Sequence, residues 1–174
     1  MQYLIKSIGL FLCVCLFAAC QPQQQAAEPQ EPETGGMIMN GELSGSEFAI
    51  ATGNEMDTFM TIVERFNNLD AAGIWEFSAD TVSMIMIDGS TQMLTQAAFE
   101  GMFGGLDSVT WEMDAVVPLR VVGTDLVKVM VDSREVMYMK DGTVSRVRLF
   151  EEFTFNNEIL TNVRQWSAEM PDGM

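Results

Sequence analysis

Residues 66–80, FNNLDAAGIWEFSAD, form the stretch that decides the fold. They end one predicted helix, supply a short second helix over 71–77, and close with a turn at 78–80. One face of the first helix is apolar, because five hydrophobic residues recur at helical spacing: Phe59, Ile62, Val63, Phe66 and Leu69. Asn54 is a suitable N-cap for this helix. The pattern predicts two helices in succession, the first of which covers a hydrophobic core.

Downstream, the pattern changes to β-strands with one further helix. A strand over 82–87 ends at Asp88-Gly89, a typical hairpin turn, and a short strand over 92–94 returns. A third helix over 96–103 begins at a threonine cap and ends at two glycines. Long strands then follow over 109–122, 126–139, 144–155 and 159–166. This order predicts an α+β fold in which three N-terminal helices pack on one face of a curved, mostly antiparallel sheet.

That element order, with residues 66–80, the Asp88-Gly89 hairpin and the closing run 153–155, resembles the nuclear transport factor 2-like superfamily. Its members include ketosteroid isomerases and SnoaL-type polyketide cyclases. The resemblance covers residues 54–168. It implies a cone with an apolar cavity between sheet and helices, and homodimers through the outer face of the sheet.

The resemblance also locates three catalytic positions of the isomerases. The proton-shuttling aspartate falls on Met86, and the oxyanion tyrosine of the first helix falls on Ile62. The second acid, which stays protonated in the isomerases, falls on Glu151. Because two of the three positions do not match, the resemblance argues against an acid–base isomerase of that type.

Glu151 is the most informative polar residue of the predicted sheet. Strand alternation places it on one face with apolar neighbours: Val147, Leu149, Phe153 and Phe155. Pairing across a two-residue turn at 141–142 puts Asp132 opposite Glu151, with Arg134 as a diagonal neighbour and Tyr138 on the same face. These four polar residues are the candidate catalytic residues. We expect Glu151 to form a solvent-facing ion pair beyond the sheet rim; the alternative is a polar group inside a ligand cavity.

The same register assigns residues to the opposite, outer face of the sheet. Arg146, Arg148 and Glu135 are expected to form cross-strand ion pairs there. An exposed apolar stripe on that face would support dimer formation, and it would comprise Val127, Val129, Val131 and Met137.

Eight apolar residues are candidates for the wall of a cavity, with ordinary core packing as the alternative. They are Ile62, Phe66, Trp75, Met84, Met86, Phe99, Phe103 and Trp111.

Composition excludes several classes of function. The chain of 174 residues has 9 Lys and Arg against 25 Asp and Glu, a net charge of −16, so a nucleic-acid groove is excluded. The absence of histidine excludes Ser-His and Cys-His nucleophile pairs. No calcium loop, phosphate loop or nucleotide-binding fingerprint occurs. We expect neither a metal nor a cofactor, so carboxylates are left as the acid–base groups.

The N-terminal segment predicts a lipid anchor. Residues 1–19 have one lysine followed by a short apolar run, and Ala18-Ala19 before Cys20 resembles the lipobox of bacterial lipoproteins, although Phe17 replaces its usual leucine. This resemblance implies acylation of Cys20, for example with palmitate, and a place in the bacterial cell envelope. Gln21 favours the outer membrane. An ordinary secretory signal is the alternative.

Between the anchor and the domain, residues 20–53 are expected to form a tether. Its Gln-, Pro- and Glu-rich part lacks the apolar residues needed to offset the entropy of ordering. The domain itself is predicted over 54–168, with a tail over 169–174.

Three functions are consistent with the sequence. The first is a non-catalytic module, tethered to the envelope, that binds a small apolar ligand or a protein partner. The second is a homodimeric assembly protein. The third is a carboxylate-dependent isomerase, cyclase or lyase that uses Glu151 or Asp132, with Tyr138 or Arg134 as the electrophile.

Overall fold

The computed structural model describes residues 33–170, all within one compact unit. In this part of the chain, eight strands and three helices follow one another as β1 (Thr34–Met37), β2 (Glu47–Ile50), α1 (Glu55–Asn67), α2 (Ala71–Trp75), β3 (Ser78–Ile85), β4 (Thr91–Leu94), α3 (Gln96–Phe103), β5 (Leu106–Val121), β6 (Leu126–Met139), β7 (Val144–Asn156) and β8 (Ile159–Glu169).

The eight strands form one sheet in the order β1-β2-β5-β6-β7-β8-β3-β4. Strand β3 runs parallel to β8, while the other neighbouring strands are antiparallel. The core lies between the helices and one face of this sheet. Phe59 of α1, Val129 of β6 and Phe155 of β7 are completely buried within it.

Residues 68–70 make the sharp connection from α1 to α2. Leu69 adopts a left-handed backbone with φ 56°, and Asp70 then caps α2 by accepting a hydrogen bond from the backbone N–H of Gly73 at 2.9 Å. Arg65 Nη1 contacts the other carboxylate oxygen of Asp70 at 3.2 Å. A Cβ atom at Gly73 would overlap the positions now held by Arg65 Nη1 and Asp70 Oδ2, so glycine leaves room for this ion pair.

Asn67, at the end of α1, joins the helix to the sheet. Its Oδ1 accepts a hydrogen bond from the backbone N–H of Trp111 at 2.6 Å, and its Nδ2 donates to the Trp111 carbonyl oxygen at 3.1 Å. The Asn67 side chain therefore satisfies the backbone groups of Trp111 in place of a neighbouring strand, and it holds the end of α1 against β5.

Three features of the fold differ from the expectation. Residues 78–80, predicted as a turn, are the start of β3. The helices are not all N-terminal, because β1 and β2 precede α1 and the hairpin of β3 and β4 separates α2 from α3. The sheet also begins at Thr34, inside the expected tether over 20–53, since β2 pairs with the edge of β5 and buries Ala49 there. The predictions for residues 1–19, Cys20, the tether up to residue 32 and the end of the tail lie outside the described residues.

The hydrogen bonds of Asn67 predict a large loss of stability on truncation. Asn67→Ala should lower the free energy of unfolding by about 2 kcal/mol, because the N–H and C=O of Trp111 lose their partners. Urea denaturation of the purified protein measures this loss.

The adjacent Asn68→Ala is the matched control. Asn68 Nδ2 donates only to the Glu64 carbonyl oxygen of its own helix, at 2.9 Å, in an exposed position. Its replacement should cost less than about 1 kcal/mol. Equal losses for the two variants would show that Asn67 does not join α1 to the sheet.

Candidate functional site

A cavity of about 570 Å³ lies between the inner face of the sheet and the helices. This volume suits a ligand the size of a small organic molecule. The eight residues considered as wall candidates all line it: Ile62, Phe66, Trp75, Met84, Met86, Phe99, Phe103 and Trp111. At the two isomerase positions that do not match, the wall therefore presents the apolar side chains of Met86 and Ile62.

Six rings of the lining contact one another in series and are called the aromatic wall. Their centroid separations range from 4.7 Å, between Phe99 and Phe103, to 5.8 Å, between Trp111 and Phe153. The aromatic wall comprises Trp75, Phe99, Phe103, Phe66, Trp111 and Phe153. Because each ring contacts its neighbours in a tilted or edge-on arrangement, these rings form one continuous surface on this side of the cavity.

Glu151 lies inside this cavity, on β7. Glu151 is 4% exposed, and in the sheet it pairs with Val131 on β6 and Gln165 on β8. Its Oε1 accepts a hydrogen bond from Gln165 Nε2 at 3.2 Å, whereas its Oε2 is buried and finds no partner among the described residues. The expectation of a solvent-facing ion pair is therefore wrong, and the alternative of a polar group in a cavity describes Glu151.

Glu135 is a second acid in the same cavity, and sequence reasoning missed it. It was assigned to ion pairs on the outer face, but it is 8% exposed and lines the cavity from β6, beside Trp111 of β5 and Val147 of β7. Burial among these apolar side chains raises the pKa of Glu135 to about 7.

Glu135 and Glu151, here called the glutamate pair, influence each other electrostatically. Burial, together with the charge of Glu135, raises the pKa of Glu151 to about 8, although the hydrogen bond from Gln165 acts in the opposite direction. Near neutral pH one carboxyl of the pair therefore holds a proton while the other is ionised. The fully buried Ser133 lies between them on β6, and its Oγ accepts a hydrogen bond from Trp111 Nε1 at 3.0 Å.

Glu135 was placed on the wrong face because the loop that connects β6 and β7 is one residue longer than predicted. The predicted two-residue turn would pair Lys140 with Thr143. Instead, Tyr138 pairs with Val144 around a longer loop, in which Gly142 has φ 88°. A glycine in this left-handed position is typical of three-residue hairpin loops. The register is shifted by one residue, so every side chain of β6 changes face relative to β7.

Three candidate catalytic residues consequently lie on the outer face of the sheet rather than with Glu151. Asp132 pairs with Phe150 in the sheet, and its carboxylate contacts Arg148 Nη2 at 2.7 Å. Arg134 contacts Asp114 at 2.9 Å, and Tyr138 is 41% exposed. None of the three can act on a molecule inside the cavity.

The same shift corrects the expected outer apolar stripe. Val127, Val129 and Val131 are completely buried on the inner face, and Met137 lines the cavity. The stripe that would have supported an assembly function is therefore part of the core and the site. The alternation of valines with polar residues along β6 was a signal that could have revealed this.

The remaining polar groups of the lining are uncharged. Among residues 33–170, Ser78, Gln92 and Gln165 are the other polar side chains in contact with the cavity. In the same part of the chain, no group of three or more His, Cys, Asp or Glu residues could hold a metal ion. No described helix is long and apolar enough to cross a bilayer.

No family model matches the sequence, and no curated protein matches it. Solved structures, in contrast, do match this chain. SalBIII, described as an epoxide hydrolase/cyclase-like enzyme in pyran ring formation in the polyether salinomycin, matches with a TM-score of 0.55 and 15% identity over 66% of this chain and 91% of that chain. AusH from Aspergillus nidulans matches with a TM-score of 0.53 and 14% identity, over 70% and 88%.

A protein of unknown function from Cytophaga hutchinsonii, described as NTF2-like, also matches, with a TM-score of 0.44 and 13% identity over 67% of this chain and 100% of that chain. At such low identities, the likeness to SalBIII and AusH, whose TM-scores are 0.55 and 0.53, establishes the fold and nothing further. The fold is nuclear transport factor 2-like.

The raised pKa values predict that the protein loses stability in alkali. Below about pH 4.5 the pair is protonated in both the folded and the unfolded chain; as the pH rises, only the unfolded chain ionises freely. The free energy of unfolding should therefore fall between about pH 5 and 9, by roughly a few kcal/mol, and urea denaturation at several pH values measures this fall.

Glu151→Gln should reduce this pH-dependent loss, because an amide does not ionise. The variant should be more stable than the wild type at about pH 9, and Glu64→Gln, at an exposed position on α1, should keep the wild-type slope. A wild-type slope in Glu151→Gln would contradict the burial of an ionisable acid at this position.

Proposed function

We propose that the protein is an acid–base enzyme that acts on a small, mostly apolar molecule held in the cavity. The observation that supports this proposal is the glutamate pair, with both carboxyls buried in one apolar cavity and their pKa values raised to about 7 and about 8. Perturbed carboxyls in an enclosed pocket are typical of catalytic sites. The sequence alone favoured a non-catalytic module, and the glutamate pair is the reason for placing the enzyme first.

The two carboxyls suit different roles. Glu151 has the higher pKa, and its Oε2 is free to donate a proton to a substrate oxygen while Gln165 holds its Oε1. Glu135, with the lower pKa, accepts a proton from a carbon or hydroxyl group of the same substrate. Glu135 removes one proton from the substrate and Glu151 delivers another, so the pair can catalyse isomerisation, ring closure or elimination.

The position of the pair also fits this division of labour. Along the strands, Glu135 and Glu151 are two same-face positions apart, with Ser133 and Leu149 between them. At a strand rise of about 3.3 Å per residue, this offset of two same-face positions leaves room for a reacting group between the two carboxyls. SalBIII, which shares the fold, is described as an epoxide hydrolase/cyclase-like enzyme, and this supports an enzymatic role for the present chain.

A non-catalytic binding module is the second candidate. It is favoured by the apolar side chains of Met86 and Ile62, which line the cavity at the positions where the sequence resemblance would place the isomerase aspartate and tyrosine. In this case the glutamate pair would only select the ligand.

Proton exchange in D₂O tests the enzyme proposal without knowledge of the natural substrate. The protein should catalyse deuterium incorporation next to the carbonyl of small cyclic ketones, followed by NMR, with a bell-shaped pH profile between about pH 7 and 8. The panel comprises cyclohexanone, 2-indanone and their amine-bearing analogues.

Glu135→Gln and Glu151→Gln should each lower the exchange rate by about a hundredfold, since a positioned acid or base contributes about this much. Glu64→Gln should retain the wild-type rate. If the wild type exchanges no ketone faster than this panel's buffer blank, or if both glutamine variants exchange as fast as the wild type, the non-catalytic alternative is favoured.

We also propose that the domain is tethered to the bacterial cell envelope by acylated Cys20, with the outer membrane favoured by Gln21. The proposal is supported by the apolar run and by Ala18-Ala19 before the cysteine. A homodimer through the outer face of the sheet is a further proposal. It is supported by the exposed aromatic pair of Phe150 and Trp166, whose ring centroids are 5.8 Å apart.

Replacement of Cys20 tests the anchor. In a bacterial host, the wild type should incorporate labelled palmitate and sediment with membranes, and Cys20→Ala should lose both properties. Cys13→Ala is the matched control, since Cys13 lies within the segment expected to be removed. Release of the wild type as a soluble, unlabelled protein would instead indicate an ordinary secretory signal.

A further inference from the structure

The ionisable groups of the cavity all have the same sign. Among residues 33–170, Glu135 and Glu151 are the ionisable side chains that line it, and neither forms an ion pair with an arginine or lysine. A ligand with a carboxylate or phosphate would place a further negative charge next to this pair in a medium of low dielectric constant. Anionic ligands are therefore disfavoured.

One oxygen of the pair lacks a partner. Glu151 Oε2 is buried, borders the cavity and finds no hydrogen-bond donor among the described residues, although Oε1 of the same carboxyl is bound by Gln165. A buried oxygen without a donor costs free energy, which a ligand N–H or O–H group would recover. The site is complementary to a hydrogen-bond donor.

The aromatic wall adds an attraction for positive charge. Trp111 is the strand partner of Glu135, and Phe153 follows Glu151 on the same face of β7. The faces of such rings attract organic cations, most strongly where water is excluded. Acidic groups and aromatic rings therefore border the same part of the cavity, and a carbon skeleton attached to the cation would contact the remaining apolar lining.

We propose that the ligand of this cavity is a hydrophobic amine, bound as its ammonium ion between the glutamate pair and the aromatic wall. This inference rests on the proposed function and names the substrate class of the same site. The positive charge of the ammonium favours the ionised form of Glu151, so Glu151 is the ionised carboxyl in the complex and its Oε2 accepts hydrogen bonds from the ammonium N–H groups. The second carboxyl keeps its proton, so acid–base chemistry on the bound amine is preserved.

Binding of an ammonium should be linked to proton release. The elements around the pair present no other titratable group among the described residues: β5 presents Trp111, β8 presents Gln165, and α1 presents Ile62 and Phe66. Below about pH 7 both carboxyls are protonated, so an ammonium must displace one proton in order to bind. The affinity should therefore rise by about tenfold per pH unit between pH 5 and 7.

Three rigid compounds of matched shape test the proposal: 1-adamantylamine, 1-adamantanol and 1-adamantanecarboxylate. In isothermal titration calorimetry with the full-length protein at about pH 8, the amine should bind about tenfold or more tightly than the alcohol, and the carboxylate should not bind. Titrations at about pH 6 in buffers of different ionisation enthalpy should show release of about one proton per amine bound.

The double variant Glu135→Gln/Glu151→Gln is the critical control. It should lose the preference for the amine but still bind the alcohol, and this binding shows that the cavity is intact. Glu64→Gln should retain the preference. The proposal is overturned if the wild type binds the alcohol as tightly as the amine, if it binds no amine at millimolar concentration, or if the preference survives in the double variant.

The outcome is separable from that of the exchange experiment. Deuterium exchange into neutral ketones without any preference for amines would overturn the amine proposal and leave the enzyme proposal intact. Binding of the amine with proton release, but without exchange into any ketone, would support the amine proposal and favour the non-catalytic module.

Discussion

The register between β6 and β7 is the constraint on which the rest of the structure depends. A loop of three residues, with Gly142 in a left-handed conformation, determines which side chains of β6 face inward. This pairing places Val127, Val129 and Val131 in the core and Glu135 in the cavity. The alternative register, one residue away, would bury Asp132 and Arg134 and expose the valines, so the hydrophobic effect and the loop geometry favour the same arrangement.

The glutamate pair is unfavourable for stability, and the fold tolerates it for physical reasons. Two carboxyls lose their hydration among apolar and aromatic side chains, and one oxygen gains no hydrogen bond in return. The neutral form lowers this cost, as the raised pKa values indicate. The stabilisation comes from elsewhere, from a continuous hydrophobic core that extends from α1 to β8. An arrangement that opposes stability in an otherwise consistent fold is typical of a functional site.

Much of the fold follows from local sequence patterns, whereas the site depends on contacts that local patterns do not determine. The helical spacing before Asn67 and the cap at Thr95 predicted α1 and α3, and alternation predicted β6 and β7. Strands β1 and β2 were missed because they are short and rich in small or polar residues, and their order depends on the edge of β5. The position of Glu151 in an apolar face was predicted, but its burial was not expected. Glu135 was misplaced because a turn sequence does not by itself distinguish a two-residue from a three-residue loop.

The parallel pairing of β3 with β8 has a consequence for the order of synthesis. The hairpin of β3 and β4 joins the sheet through β8 alone, and Gln165, which holds Glu151, lies on that same strand. Before β8 is synthesised, the nascent chain already contains Glu151 and the β3–β4 hairpin, but the hairpin has no strand through which to join the sheet. The cavity is enclosed only when β8 emerges. A prematurely terminated chain that ends before β8 therefore has neither a complete sheet nor an enclosed glutamate pair.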